Sequence, residues 1–209
     1  MRSTPERDGT FTERARRGQI VECAIELIAE RGYGDTSIAK IAERAGIAKS
    51  VVLYHFVSKE ELVGAVVTQV SGVAATALVP AIEAEATAGG KLRAYIRASG
   101  EYIETHRSYS RALLDIGASY RTASGGRLGE ASAPGELDGD LATLDPGPIF
   151  ELGQRNREFR SFDPMTMAVA LRQSIDGAVV LLSRDPEFNI ARYCEELVTL
   201  FDRATRRDP

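Results

Sequence analysis

The stretch that most constrains this chain runs from Asp35 to Lys59, DTSIAKIAERAGIAKSVVLYHFVSK. Two short apolar-periodic segments, Ile38, Ile41, Ala42 and Ala45, then Val52 and Phe56, are divided by Gly46-Ile47, which leaves room for only a three- or four-residue turn. Apolar residues recurring at helical spacing give each segment one buried face, and two such helices across so tight a turn make a helix-turn-helix. Thr36 or Ser37 can cap the first helix, because a hydroxyl there accepts from backbone N–H groups that lack an intrahelical partner. Gly46 suits the left-handed conformation that ends a helix, and Ile47 can plug the corner. In the second helix Val52 and Phe56 share one face, so Lys49, Ser50, Val51 and Tyr54 fall largely on the other.

Charge distribution sharpens the reading. The chain has 209 residues and a net charge of −4, which by itself argues against a polyanionic partner. The first 60 residues, however, carry ten Lys or Arg against nine acids, and Ala45 to Lys59 holds two Lys and no acid, so the acidity lies in the C-terminal part. That local sign is what a phosphate backbone would meet.

The rest of the chain reads as helices throughout. Residues 1–11 are polar, lack periodicity and are expected to form a disordered arm carrying Arg2 and Arg7. A first helix from about Thr12 to Arg31, with Ile20, Ala24, Ile25, Leu27 and Ile28 in one stripe, ends at Gly32-Tyr33-Gly34. Ser58 opens a fourth helix with Glu61 three residues on, a capping-box spacing, and the helix continues toward Pro80. Lys59 in its first turn opposes the helix dipole, and a nearby phosphate would give that placement a purpose. Helices are expected from Lys91 to His106, Tyr109 to Tyr120, Ile149 to Phe159, Asp163 to Arg184 and Asn189 onward, with a loop over 122–148. Cys23 and Cys194 are expected as buried free thiols. The absence of a signal peptide and of an apolar run approaching 18 residues points to a cytoplasmic chain with no membrane partner.

From Thr36-Ser37-Ile38 through Ile41-Ala42, Ala45-Gly46-Ile47 and Tyr54-His55-Phe56 to Ser58-Lys59-Glu60-Glu61-Leu62, the sequence resembles the DNA-binding domain of the tetracycline-repressor-like (TetR) family of regulators. Ala48 stands where the family usually has Ser, and Ser50 and Leu53 where Gly and Tyr are common. The resemblance implies an all-α chain of about nine helices: a helix-turn-helix DNA-binding domain over 12–57 and a larger helical ligand-binding and dimerisation domain over 58–209. It implies a homodimer on an inverted-repeat double-stranded operator, released by a small-molecule inducer that tilts the fourth helix. Lys49, Ser50, Val51 and Tyr54 are the groove-facing candidates, and Thr36, Ser37, Tyr54, His55 and Lys59 the phosphate-contacting set.

For the inducer, the candidate lining is Tyr95, Tyr102, His106, Tyr109, Phe150, Gln154, Met167, Leu171, Gln173 and Ile175, with Arg172 and Asp176, four apart in one helix, able to anchor a polar group or simply to pair. The apolar stripes of the last two helices, Leu171, Ile175, Ala178, Val179 and Leu182, then Ile190, Tyr193, Leu197, Val198 and Phe201, are the candidate dimer contacts. Two histidines, His55 and His106, cannot make a multi-histidine metal site, and the cysteines lack metal spacing, so neither metal nor cofactor is expected. Gly89-Gly90-Lys91 lacks the Ser or Thr and the preceding strand of a phosphate loop, and no nucleophile elbow occurs, so catalysis is not expected. The competing possibility is a DNA-binding dimer whose C-terminal domain only dimerises or receives a protein, marked by a filled core without a pocket between helices of residues 91–182.

Overall fold

The computed structural model describes residues 11–119 and 144–207, and these form nine helices with no strand. They are α1 (Phe11–Arg31), α2 (Ile38–Arg44), α3 (Lys49–His55), α4 (Lys59–Glu83), α5 (Ala88–Thr105), α6 (Arg107–Ser119), α7 (Gly147–Arg155), α8 (Pro164–Arg184) and α9 (Ile190–Thr205). The expected arm over 1–11 lies outside the described residues except for Phe11, which opens α1, and most of the expected loop over 122–148 lies outside them too.

Most boundaries follow from side chains that satisfy the open N–H groups of a helix start. Ser37 accepts from Lys40 N, Ser58 from Glu61 N, Thr87 from Gly90 N, Asp163 from Thr166 N and Asn189 from Arg192 N. Ala48, with no side-chain oxygen, leaves α3 uncapped. Gly32 and Gly46 take positive φ of 84° and 66° where α1 and α2 end, which residues with a Cβ adopt only at a cost.

Three expected boundaries move. Pro80 lies inside α4 near its end, where it forgoes one intrahelical N–H bond while its carbonyl still accepts from Ala84 N at 3.1 Å. His106 separates α5 from α6, which begins at Arg107. The helix expected through Phe159 stops at Arg155: Arg157 has φ 61°, and Gly153 O accepts from Phe159 N at 3.0 Å, folding the chain back. Phe159 then bridges to Arg206 and packs in a ring cluster with Phe150 and Phe162.

Two apolar cores result. The smaller joins α1, α2 and α3 with Leu62, Val63, Val66, Val67 and Val70 from the first half of α4, and includes Ala112 and Ile116 of α6. The larger gathers Ala74 and Leu78 from the second half of α4 with α5, α7, α8 and α9. Helices α4 and α6 are therefore built into both. By length and composition α4 and α8 could each cross a membrane, yet both pack into these cores.

Candidate nucleic-acid interface and ligand cavity

Helix α3 has one inward and one outward side. Val52 and the following Phe56 are fully buried, while Lys49 and Ser50 are exposed, Tyr54 is 71% exposed and Val51 and His55 are half-buried. Two outward residues escaped the sequence reading: Leu53, 41% exposed, and Val57, 83% exposed. Both follow from the same periodicity, since Leu53 lies three and four residues from Ser50 and Lys49. The Tyr54 hydroxyl donates to Glu13 at 3.2 Å, and its ring meets that of His55 edge-on at 5.1 Å.

Thr36 does not fit the phosphate-contacting set. It is 2% exposed, and its hydroxyl donates to Gly32 O at 2.8 Å, closing the turn between α1 and α2. Ser37 is exposed and serves as the cap of α2. Lys59 has a structural contact as well: its ammonium donates to Tyr33 O at 2.8 Å and lies 3.8 Å from the Tyr33 ring centroid. Burial holds its pKa below the ordinary value, with Glu60 partly opposing. Arg17 stacks over Phe56 at 4.3 Å, adding a cation on the same side of the head.

Helix α6 ties this head to the larger core through polar contacts. Asp115 accepts from Tyr33 N at 2.5 Å, at the turn that Lys59 also holds. Tyr109 donates to Glu22 of α1 at 2.5 Å, and Gln69 of α4 donates to the same carboxylate. The opposite side of α6, through Ser110, Leu113, Leu114, Gly117 and Ala118, lines a cavity of about 830 Å³.

That cavity lies among α4, α5, α6, α8 and the start of α7. Of the residues expected there, Tyr102, Arg172, Gln173, Ile175 and Asp176 line it. The others do not. Tyr95 is buried, with its hydroxyl donating to Leu144 O at 2.8 Å. His106 stacks on Tyr102 at 4.8 Å, Tyr109 is bound to the head, and Gln154 donates to Phe162 O at 2.7 Å. Phe150 and Leu171 are fully buried, and Met167 packs against the larger core.

Small and hydroxyl residues were missed in the lining, above all Ser99 and Ser110, whose Oγ atoms are buried without a hydrogen-bond partner among the described residues. Ser99 sits in the inward stripe of α5 with Tyr95, Tyr102 and Ile103, and a serine in such a stripe was the available signal. Inside the lining, Arg172 pairs with Asp176 at 3.0 Å and reaches the Tyr95 hydroxyl at 3.5 Å. Burial raises the pKa of the Tyr95 phenol, with Arg172 partly opposing.

Most of the residues expected as dimer contacts are covered within the chain itself. Leu171, Ile175, Ala178, Val179, Leu182, Ile190, Leu197, Val198 and Phe201 are each 7% exposed or less and are consumed by the larger core. Only Tyr193 stays half-buried, its hydroxyl donating to Ser174 O at 2.7 Å. The outward side of α8 instead presents Ala170, Ser174, Gly177 and Leu181, with Leu200 of α9 56% exposed. Among the described residues no cluster of His, Cys, Asp and Glu could hold a metal ion, and both cysteines are free, burial pushing Cys194 up to about 11.

Residues 20–66 match the family model described as bacterial regulatory proteins, tetR family. The chain is 35% identical over 99 residues to the HTH-type transcriptional activator FasR of Mycolicibacterium smegmatis, covering 47% of this chain and 45% of that protein. It is 34% identical over 74 residues to the fatty acid metabolism regulator protein of Bacillus subtilis, covering 35% and 38% respectively. The match thus spans less than half the length of either relative.

Whole-chain similarity is seen in structures. The regulator FadR from Bacillus subtilis in complex with stearoyl-CoA superposes with a TM-score of 0.70 at 20% identity over 88% of this chain and 96% of that one. The ketosteroid transcriptional regulator KstR2 of Mycobacterium tuberculosis gives 0.69 at 19% identity over 99% and 100%. Residues 20–66 thus carry the helix-turn-helix segment of the tetR family of bacterial regulatory proteins, and the chain as a whole shares the all-helical fold of these two regulators.

Proposed function

We propose that the protein is a DNA-binding transcriptional regulator that holds an inverted-repeat operator as a homodimer and releases it when a small molecule fills the α4–α8 cavity. The observation that carries this reading is the two-sidedness of α3: Val52 and the adjoining Phe56 anchor it, and Lys49, Ser50, Leu53 and Tyr54 are left outward on a seven-residue helix. Lysine suits guanine acceptors, and leucine suits a thymine methyl in the major groove. Lys59, Ser37 and His55 are assigned to the phosphates, with Lys59 using donors that Tyr33 leaves free.

A single head offers few cations, so two heads on successive major grooves are needed for tight binding. The dimer contact is assigned to Ala170, Ser174, Gly177 and Leu181 of α8 with Tyr193 and Leu200 of α9, the apolar and small residues that the larger core does not use. In this reading ligand binding moves α6, which lines the cavity on one side and grips Tyr33 and Glu22 on the other, and α4 follows through their shared packing. The ligand drives the change only by its difference in affinity for the two arrangements. An 830 Å³ cavity favours this over a C-terminal domain with a filled core.

Selection of bound duplexes from a random pool at near-physiological salt tests the reading. One enriched inverted repeat is the expected result, and Lys59→Ala should weaken binding to all sequences while lowering the salt slope by about one. Absence of any enriched sequence would end the regulator reading.

A further inference from the structure

The polar groups of the cavity constrain its occupant more than the apolar walls do. Among the described lining residues one is basic, Arg172, and three are acidic, Asp145, Glu151 and Asp176. The Arg172 guanidinium is already matched by Asp176 at 3.0 Å on its own helix. Among the described residues its other hydrogen bond is to the Tyr95 hydroxyl at 3.5 Å, a weak contact. Since a guanidinium carries five N–H donors, several remain open on a wall that is otherwise mostly apolar. The Arg172 side chain is 36% exposed, so water serves these donors until an acceptor on the ligand displaces it.

The acceptor's charge decides which ligands qualify. A free carboxylate placed on Arg172 would meet a cation whose charge is already balanced, with Asp176 beside it; of the other two acids, Asp145 is exposed and Glu151 is paired with Arg155 at 3.4 Å. An uncharged carbonyl oxygen accepts from the same N–H groups without that repulsion. Ser99 and Ser110 add hydroxyls without partners among the described residues, which suit a hydrogen-bonding group on the ligand. We propose that the occupant is a mainly apolar molecule carrying an uncharged carbonyl, that of a ketone, ester or acyl thioester, whose oxygen accepts from Arg172. The assignment rests on the ligand-responsive reading above. At roughly 30 Å³ per small group, the cavity admits on the order of two dozen non-hydrogen atoms, a medium chain or compact ring system. The nucleotide of an acyl thioester would have to lie outside.

The test is calorimetric titration of the full-length protein with methyl decanoate, decanoate and decanoyl-coenzyme A. Methyl decanoate should bind at least about tenfold tighter than decanoate. Because the ester is also the more apolar probe, Asp176→Asn supplies the decisive comparison. Freeing the charge of Arg172 should strengthen decanoate by on the order of tenfold and leave the ester within about twofold, while Arg172→Met should weaken the ester by on the order of tenfold. The thioester arm separates the sources: tighter binding than the ester points to acyl thioesters, weaker binding to free ketones or esters.

Decanoate matching or exceeding the ester, an unchanged ratio in Asp176→Asn, or no binding of either carbonyl probe overturns the assignment. Operator release is read separately. Ester binding without release would end the release mechanism and leave the carbonyl assignment standing, whereas release by other compounds with no carbonyl binding would do the reverse.

Discussion

Asp115 is the residue at which the proposed route from cavity to DNA head is most open to attack. Its carboxylate accepts from Tyr33 N at 2.5 Å, next to Gly32, whose φ of 84° already makes this corner conformationally demanding. A hydrogen bond to a charged group contributes about 1.5–3 kcal/mol, and here both partners are half-buried, so water recovers part of the loss when it is removed. We expect Asp115→Ala to cost about 2 kcal/mol and Asp115→Asn, which keeps an acceptor and loses the charge, about 1 kcal/mol. For a chain of this size that is a fall in Tm of about 4–8 °C for Ala and half as much for Asn, read by scanning calorimetry.

The functional expectation is sharper than the thermal one. Coupling energies between sites are typically about 1–3 kcal/mol, so loss of the grip should reduce the ligand-induced drop in operator affinity by about 5–150-fold, measured by fluorescence anisotropy of a labelled operator. The cavity itself is untouched, so ligand affinity in the absence of DNA should stay within about twofold. If Asp115→Ala lowers Tm as expected and leaves the ligand response whole, α6 holds the head without transmitting anything. If neither changes, the Asp115–Tyr33 contact contributes nothing measurable.

Three further outcomes are expected. Leu181→Glu, which puts a charge on the outward side of α8, should give a monomer by analytical ultracentrifugation and cut operator affinity by at least about a hundredfold through loss of the second half-site; a persistent dimer would move the interface elsewhere. Gly153→Ala would drive a methyl into the Phe159 ring and should cost about 1–3 kcal/mol in thermal unfolding, while Gly64→Ala, with nothing within 4 Å, should be neutral or stabilising. The hydrogen bond from Arg44 holds the Glu30 carboxyl below its ordinary value of 4.5. The contribution of that pair to stability is present above 4.5 and is lost as pH falls through the lowered pKa, so the Tm gap between wild type and Glu30→Gln should close in acid; a gap that widened would reverse the sign of the coupling.

The head was legible because its determinants are local. A glycine at a left-handed position, hydroxyls at helix starts and apolar residues three and four apart act within a few residues of themselves, and Gly46, Ser37, Ser58, Val52 and Phe56 are found in those roles. Thr36 failed because two adjacent hydroxyls competed for one cap, and the loser turned inward to Gly32 O. The cavity was far less legible. Aromatic size suggested Phe150 and Tyr95, but large side chains fill space, and the void is bounded where side chains are short or diverge, at Ser99, Ser110, Gly117 and Ala168. The residues expected as dimer contacts were misjudged for a related reason: periodicity reports that a helix has an apolar stripe without saying what covers it, and the chain's own larger core takes up the stripes of both C-terminal helices.

The walls of the cavity constrain how such a protein could diverge. Helix α6 turns its other side to the DNA head, α4 is built into both cores, and α8 carries the outward face on which a second copy would sit. A substitution deep in any of these walls that admits a new ligand also perturbs packing elsewhere, and selection sees both effects at once. Met165 and Val169, which line the cavity yet are 75% and 56% exposed, carry no such second obligation. Drift in ligand preference among close descendants of this chain should therefore begin at the rim and reach Arg172 last.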